Sequence, residues 1–144
     1  GGRAGRRHCH RAARGAQVRI ASPEGYGLPE AQIAESAPLA GSLVQLVSPA
    51  EAADGADVLY TDTWVSMGQE ADKVARAASF EGYRIDRALL ARASPDAMVM
   101  HCLPAVRGQE IDAELMYDPC SAIWDQAENR LHAQKALMLH LFDR

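Results

Sequence analysis

Five short apolar runs, strung along the chain with helix-compatible segments between them, set the limits on what this sequence can fold into. They read QVRIA (17–21), LVQLV (43–47), DVLYT (57–61), AMVMH (97–101) and SAIW (121–124). Runs of this length, rich in Val, Ile, Leu and Met, suit strands buried in a sheet. Between them, Pro29 to Ala37 reads as a weak helix, because Ala and Glu favour one. PAEAADGA (49–56) reads as a short helix ending near Gly55, and Glu70–Ala78 and Asp86–Ala93 are helix-compatible. Strands that alternate with helices predict an α/β fold, with a parallel sheet and helices on its faces.

The last segment, DQAENRLHAQKALMLHLF, is the clearest helix. Ala127, Leu131, Met138 and Phe142 share one face, widened by Leu137 and Leu141. Asp125 followed by Glu128 has the pattern of a helix N-cap. In parallel sheets, ligand chemistry gathers at the carboxyl ends of strands. That rule puts Asp62, just after DVLYT, and His101 with Cys102, at the end of AMVMH, on one crevice.

A length of 144 residues with 48% hydrophobic content fits one domain with a real core. No apolar run approaches the roughly 18 residues of a membrane span. No apolar signal core opens the chain, so the expected location is the cytoplasm. Three cysteines, an odd number without a C-x-x-C pair, fit free thiols in a reducing compartment. The first 14 residues hold five of the 15 Arg and Lys and none of the 19 Asp and Glu. The rest therefore carries 10 basic against 19 acidic residues, a net of −9. An acidic body argues against nucleic-acid or anionic-membrane partners. Residues 1–14 show neither strand nor helix periodicity and read as disordered or foreign to the fold, a nucleic-acid arm being the alternative. The HCH at 8–10 is a poor metal site, since adjacent residues rarely share one tetrahedral ion. No metal is expected.

Three motifs carry chemistry. In DTWVSMGQE (62–70), Asp62 can pair with an ammonium, and Ser66 with loop N–H groups can hold a polar end. The alternative is a loop whose Asp62 and Ser66 only cap a helix. In HCLPAVRG (101–108), Cys102 has three readings: nucleophile, metal ligand or small apolar residue. Neighbours on a strand point to opposite faces, so His101 is badly placed to activate Cys102, and covalent catalysis is disfavoured. The turn at Pro104 can instead present the carbonyls of Cys102 and Leu103 to a ligand, or serve as a turn and nothing more. On the final helix, Arg130 can reach a phosphate or carboxylate, or stay solvated.

In this order, VRIASPEGY, GADVLYTDTWVSMGQE, MHCLPAVRG and WDQAENRLHAQKAL strongly resemble the ornithine carbamoyltransferases, from about residue 17 to the end. The resemblance implies a Rossmann-like three-layer domain with a mainly parallel sheet. It covers the carboxyl-terminal, ornithine-binding half, residues 15–144, with the first strand apparently missing. The implied reaction joins carbamoyl phosphate to the side-chain amine of ornithine, giving citrulline and phosphate without metal or organic cofactor. By the same resemblance Asp62, Ser66 and Met67 would hold ornithine. Cys102 and Leu103 would line the junction of the substrates, Arg130 would contact carbamoyl phosphate, and His101 would help fix the turn. Cys102 and Arg130 are then the catalytic candidates. The family's Ser-Thr-Arg-Thr and His-Pro-x-Gln segments do not occur in this sequence. Activity of this chain alone is therefore not expected, nor is the homotrimer of full-length members. A carbamoyltransferase with another amine acceptor and a non-catalytic amino-acid-binding remnant are the alternatives.

Overall fold

The structure, a computed structural model, describes residues 16–36, 42–65 and 73–142. Four strands form: β1 (Gln17–Ala21), β2 (Ser42–Leu46), β3 (Val58–Thr61) and β4 (Met98–His101). Five helices accompany them: α1 (Glu30–Ser36), α2 (Pro49–Ala53), α3 (Lys73–Ser79), α4 (Arg87–Leu90) and α5 (Ile123–Phe142). All pairing is parallel. β1 lies on β2 with Gln17 opposite Ser42, and β3 lies on β4 with Val58 opposite Met98. The α/β reading of the sequence holds, and the two pairs are separate two-stranded sheets among the described residues.

Local chemistry explains the element ends. The Ser48 hydroxyl accepts from Glu51 N–H at 3.2 Å and Pro49 starts α2, a favoured N-terminal arrangement. The helix ends near Gly55 as the sequence suggests, with Asp54 at its C-cap and Gly55 at φ +63° turning the chain into β3. Asp86 caps α4 by accepting from Leu89 N–H at 2.8 Å.

Two expectations need correction. SAIW is not a full strand: Ser121 makes a single parallel bridge to Val99, and helix α5 already begins at Ile123. Asp125 is consequently inside the first turn rather than the cap. There its charge still favours the positive end of the helix dipole. The start is set instead by Ala122, whose carbonyl accepts from Gln126 N–H at 2.9 Å.

The core gathers on the β3–β4 side. Val99, Ile111, Leu115 and Ile123 are fully buried, and Ala53, Leu59, Ile85 and Met116 pack with them. Helix α5 contributes only Ile123 to this core. The apolar stripe beyond it faces outward, with Leu131 59% and Phe142 84% exposed. Leu115→Ala should therefore cost about 2–5 kcal/mol in urea unfolding. Leu131→Ala should stay within about 0.5 kcal/mol. Equal losses would contradict this placement of the core.

Candidate functional site

Register brings the first two site residues together. Thr61 pairs with His101, so Asp62 and Cys102 leave neighbouring parallel strands at the same level. Adjacent strands stand about 4.8 Å apart. Asp62 is half-buried, and its Oδ1 accepts from Thr63 N–H at 2.8 Å, which fixes the carboxylate at the strand exit. Cys102 is also half-buried, beside it on the crevice.

His101 is turned inward and 1% exposed. Its Nε2 lies 3.0 Å from Oε1 of Glu110, a carboxylate that is itself fully buried. Its Nδ1 accepts the N–H of Leu103 at 2.8 Å. The same Glu110 oxygen accepts from Val106 N–H at 2.5 Å. One buried pair therefore ties down both halves of the Cys102–Val106 turn. The turn needs that restraint, because Leu103 sits at φ +54°, a left-handed backbone that costs a non-glycine residue about 1–3 kcal/mol. The peptide bond between Leu103 and Pro104 is cis.

Burial disfavours charge on the His101 ring. Hydrogen bonding and charge from Cys102 and Glu110 outweigh it and lift the pKa from 6.5 to about 9. A second ring proton would fall on Nδ1, where Leu103 N–H already donates, so charging the ring costs that hydrogen bond. The buried carboxylate is what offsets the cost. With Nε2 on Glu110 and Nδ1 on the Leu103 N–H, His101 is a holder of the turn, and contrary to the expectation from strand alternation its ring also interacts with the Cys102 side chain. The other described thiol, Cys120, is pushed up to about 11 by burial and by Asp118, so it stays protonated and unreactive at neutral pH.

Arg130 is not brought to this pair. It is exposed on α5 and makes no ion pair among the described residues. The first turn of α5 does reach the sheet, where Gln126 Nε2 meets the Tyr60 hydroxyl at 3.5 Å. The Oε1 of Gln126 is buried there without a hydrogen-bond partner. Ser66 and Met67 lie outside the described residues, as does HCH at 8–10. Among the described residues no group of three or more His, Cys, Asp or Glu could hold a metal ion, and no helix is long and apolar enough to cross a membrane. Glu110 is the residue that sequence reasoning missed. A carboxylate nine positions after a histidine carries no periodic signal, and only closure of the loop joins them. The one hint is its place beside Ile111, at the return of the chain to the core.

These features define a parallel α/β domain whose strand ends present a carboxylate and a histidine-fixed Cys-Leu-Pro turn. The family model "Aspartate/ornithine carbamoyltransferase, Asp/Orn binding domain" matches residues 9–141, and the chain belongs to that family. An ornithine carbamoyltransferase of Methanoculleus marisnigri is 56% identical over 128 residues, covering 88% of this chain and 41% of its own. The solved ornithine carbamoyltransferase of Pyrococcus furiosus superposes with a TM-score of 0.78 at 46% identity, over 88% of this chain and 42% of that one. The anabolic ornithine carbamoyltransferase of Campylobacter jejuni gives a TM-score of 0.87 at 34% identity, over 94% and 46%. The chain thus spans about two fifths of the length of the curated relatives it matches.

A histidine whose pKa is higher folded than unfolded adds stability that is complete below the unfolded value near 6.5 and is lost as pH rises through about 9. Urea unfolding from pH 6 to 10 should show that loss. Glu110→Gln should flatten it and lower the His101 pKa measured by NMR. A His101 that titrates near 6.5 in the unaltered protein would contradict the assignment.

Proposed function

We propose that this chain is the amino-acid-binding half of an ornithine carbamoyltransferase, acting in amino-acid metabolism in the cytoplasm. The observation that carries the reading is the Thr61–His101 register, which sets Asp62 of the DTWVSMG segment beside the HCLP turn. The relatives' printed activity and the family match support it.

In the proposed complex, the Asp62 carboxylate pairs with the ammonium of ornithine, while Ser66 and Met67 hold its other polar end. The turn at Cys102 and Leu103 aims the side-chain amine at the carbamoyl carbon. The neutral amine attacks, a C–N bond forms, and the carbonyl oxygen takes up negative charge. Collapse breaks the carbon–oxygen bond to phosphate, and the nitrogen gives up a proton to the departing phosphate. Arg130, exposed on α5 and apart from Asp62 and Cys102 in this structure, is assigned by the family resemblance to carbamoyl phosphate, where its guanidinium would offset the charge on the leaving phosphate. Fixing two substrates in line supplies much of the acceleration. Cys102 contributes position rather than a covalent bond.

The same reading limits this polypeptide. One guanidinium is a small share of the cationic environment that a departing phosphate needs, and the family's phosphate-loop motif is absent from the sequence. The chain alone should bind ornithine without turnover and without forming a trimer. Incubated at high protein concentration with ornithine and carbamoyl phosphate, it should make no citrulline above the reagent blank. In equilibrium dialysis, Asp62→Ala should weaken ornithine binding at least about tenfold, the value of about 1.4 kcal/mol. Citrulline production that Asp62→Ala and Arg130→Ala abolish would overturn the half-site reading. Ornithine binding indifferent to Asp62→Ala would remove the role given to that carboxylate.

A further inference from the structure

A set of ring contacts near the carboxyl ends of the strands lies outside the buried core and converges on Phe80. This residue follows α3, and its N–H donates to the Arg76 carbonyl at 3.0 Å. Its ring stacks on Trp64, with centroids 5.5 Å apart and planes at 27°. Tyr26 meets it edge-on at 5.1 Å, and Tyr83 does so at 5.7 Å. Rings in these geometries attract beyond the area they bury. Arg76 closes the cluster from α3. Its guanidinium lies 5.1 Å from the centre of the Tyr26 ring and donates to the Trp64 carbonyl at 3.4 Å. The Tyr83 hydroxyl donates to the Val47 carbonyl, which ties the cluster to the chain leaving β2.

Trp64 stands two residues after Asp62. Between them, Thr63 donates its N–H to the Asp62 carboxylate at 2.8 Å and its hydroxyl to the Val65 carbonyl at 3.3 Å. This stretch is held at both ends. Thr61 is fixed by its register with His101, and Trp64 by the Phe80 ring and the Arg76 guanidinium. A strand exit held at one end swings about its backbone dihedrals. Held at both, it presents its carboxylate in one direction, and less ordering remains for a ligand to impose.

We propose that Phe80 is a positioning residue for the amino-acid site. Through the Trp64 ring it fixes the direction of the Asp62 carboxylate, and with it the affinity for a ligand's ammonium group. The inference rests on the reading of Asp62 as the partner of that ammonium. Phe80 acts through Trp64 and not by contact with the ligand.

Two variants of the full chain test this. Phe80→Leu keeps an apolar side chain and loses the stack, whereas Phe80→Tyr keeps the ring. In equilibrium dialysis, Phe80→Leu should raise the Kd for ornithine about three- to tenfold, and Phe80→Tyr should leave it unchanged. Without ligand, the Thr63 amide in Phe80→Leu should exchange about tenfold faster, a greater change than at Val99 in the core. A merely structural Phe80 would act through global opening, speeding exchange at Val99 and leaving the Kd of the folded protein alone. That result would overturn the inference, as would faster exchange at Thr63 without loss of affinity. Tyr26→Leu removes one ring contact and the Arg76 contact from the other side of the cluster. It should change both readings in the same direction by less, and it decides the question if Phe80→Leu does not fold. A chain that binds no ornithine at all overturns the reading of Asp62 and the affinity half of the inference. Exchange at Thr63 then still decides whether the ring stack fixes the carboxylate.

Discussion

A carboxylate with no exposure to water, Glu110, is held in this fold by a histidine that is equally buried. An unpaired charge in that position would be strongly destabilising, so neither partner is dispensable while the other remains. The pair spans nine residues and also takes the N–H groups of Leu103 and Val106. The shape of the Cys-Leu-Pro turn follows from it, including the left-handed Leu103. The turn in turn decides what stands beside Asp62. The geometry of the strand ends is thus set from behind, by two buried groups.

The same side of the molecule carries the cohesion. The fully buried apolar residues surround β3, β4 and the start of α5, while β1 and β2 are only partly covered. Most of α5 extends away with its apolar stripe exposed. These features agree with a chain that spans about two fifths of the length of its relatives. Among the described residues, the apolar stripe of α5 is an exposed surface of the kind that marks an interaction face.

Much of this was legible from the residues. Four of the five apolar runs became strands within a residue of their expected bounds, because short runs rich in Val, Ile, Leu and Met have few other uses. SAIW failed as a strand because Ser121 and Ala122 start a helix that absorbs Ile123 and Trp124. A run of four residues could not reveal that competition. The position of Asp62 and Cys102 at strand ends was readable from the α/β pattern, but their adjacency was not, since register is a tertiary fact. Glu110 was invisible for the same reason. The apolar stripe of α5 was correctly seen as a face, but periodicity alone cannot say whether this chain covers it.

The central claim is that the crevice at the ends of β3 and β4 receives an amino acid. Backbone NMR of the isotopically labelled chain, titrated with ornithine, tests it most directly. Shifts should concentrate at Asp62, Thr63 and the Cys102–Leu103 turn, and should saturate. Saturable shifts centred elsewhere, or none at these residues up to high ornithine concentration, would contradict the account.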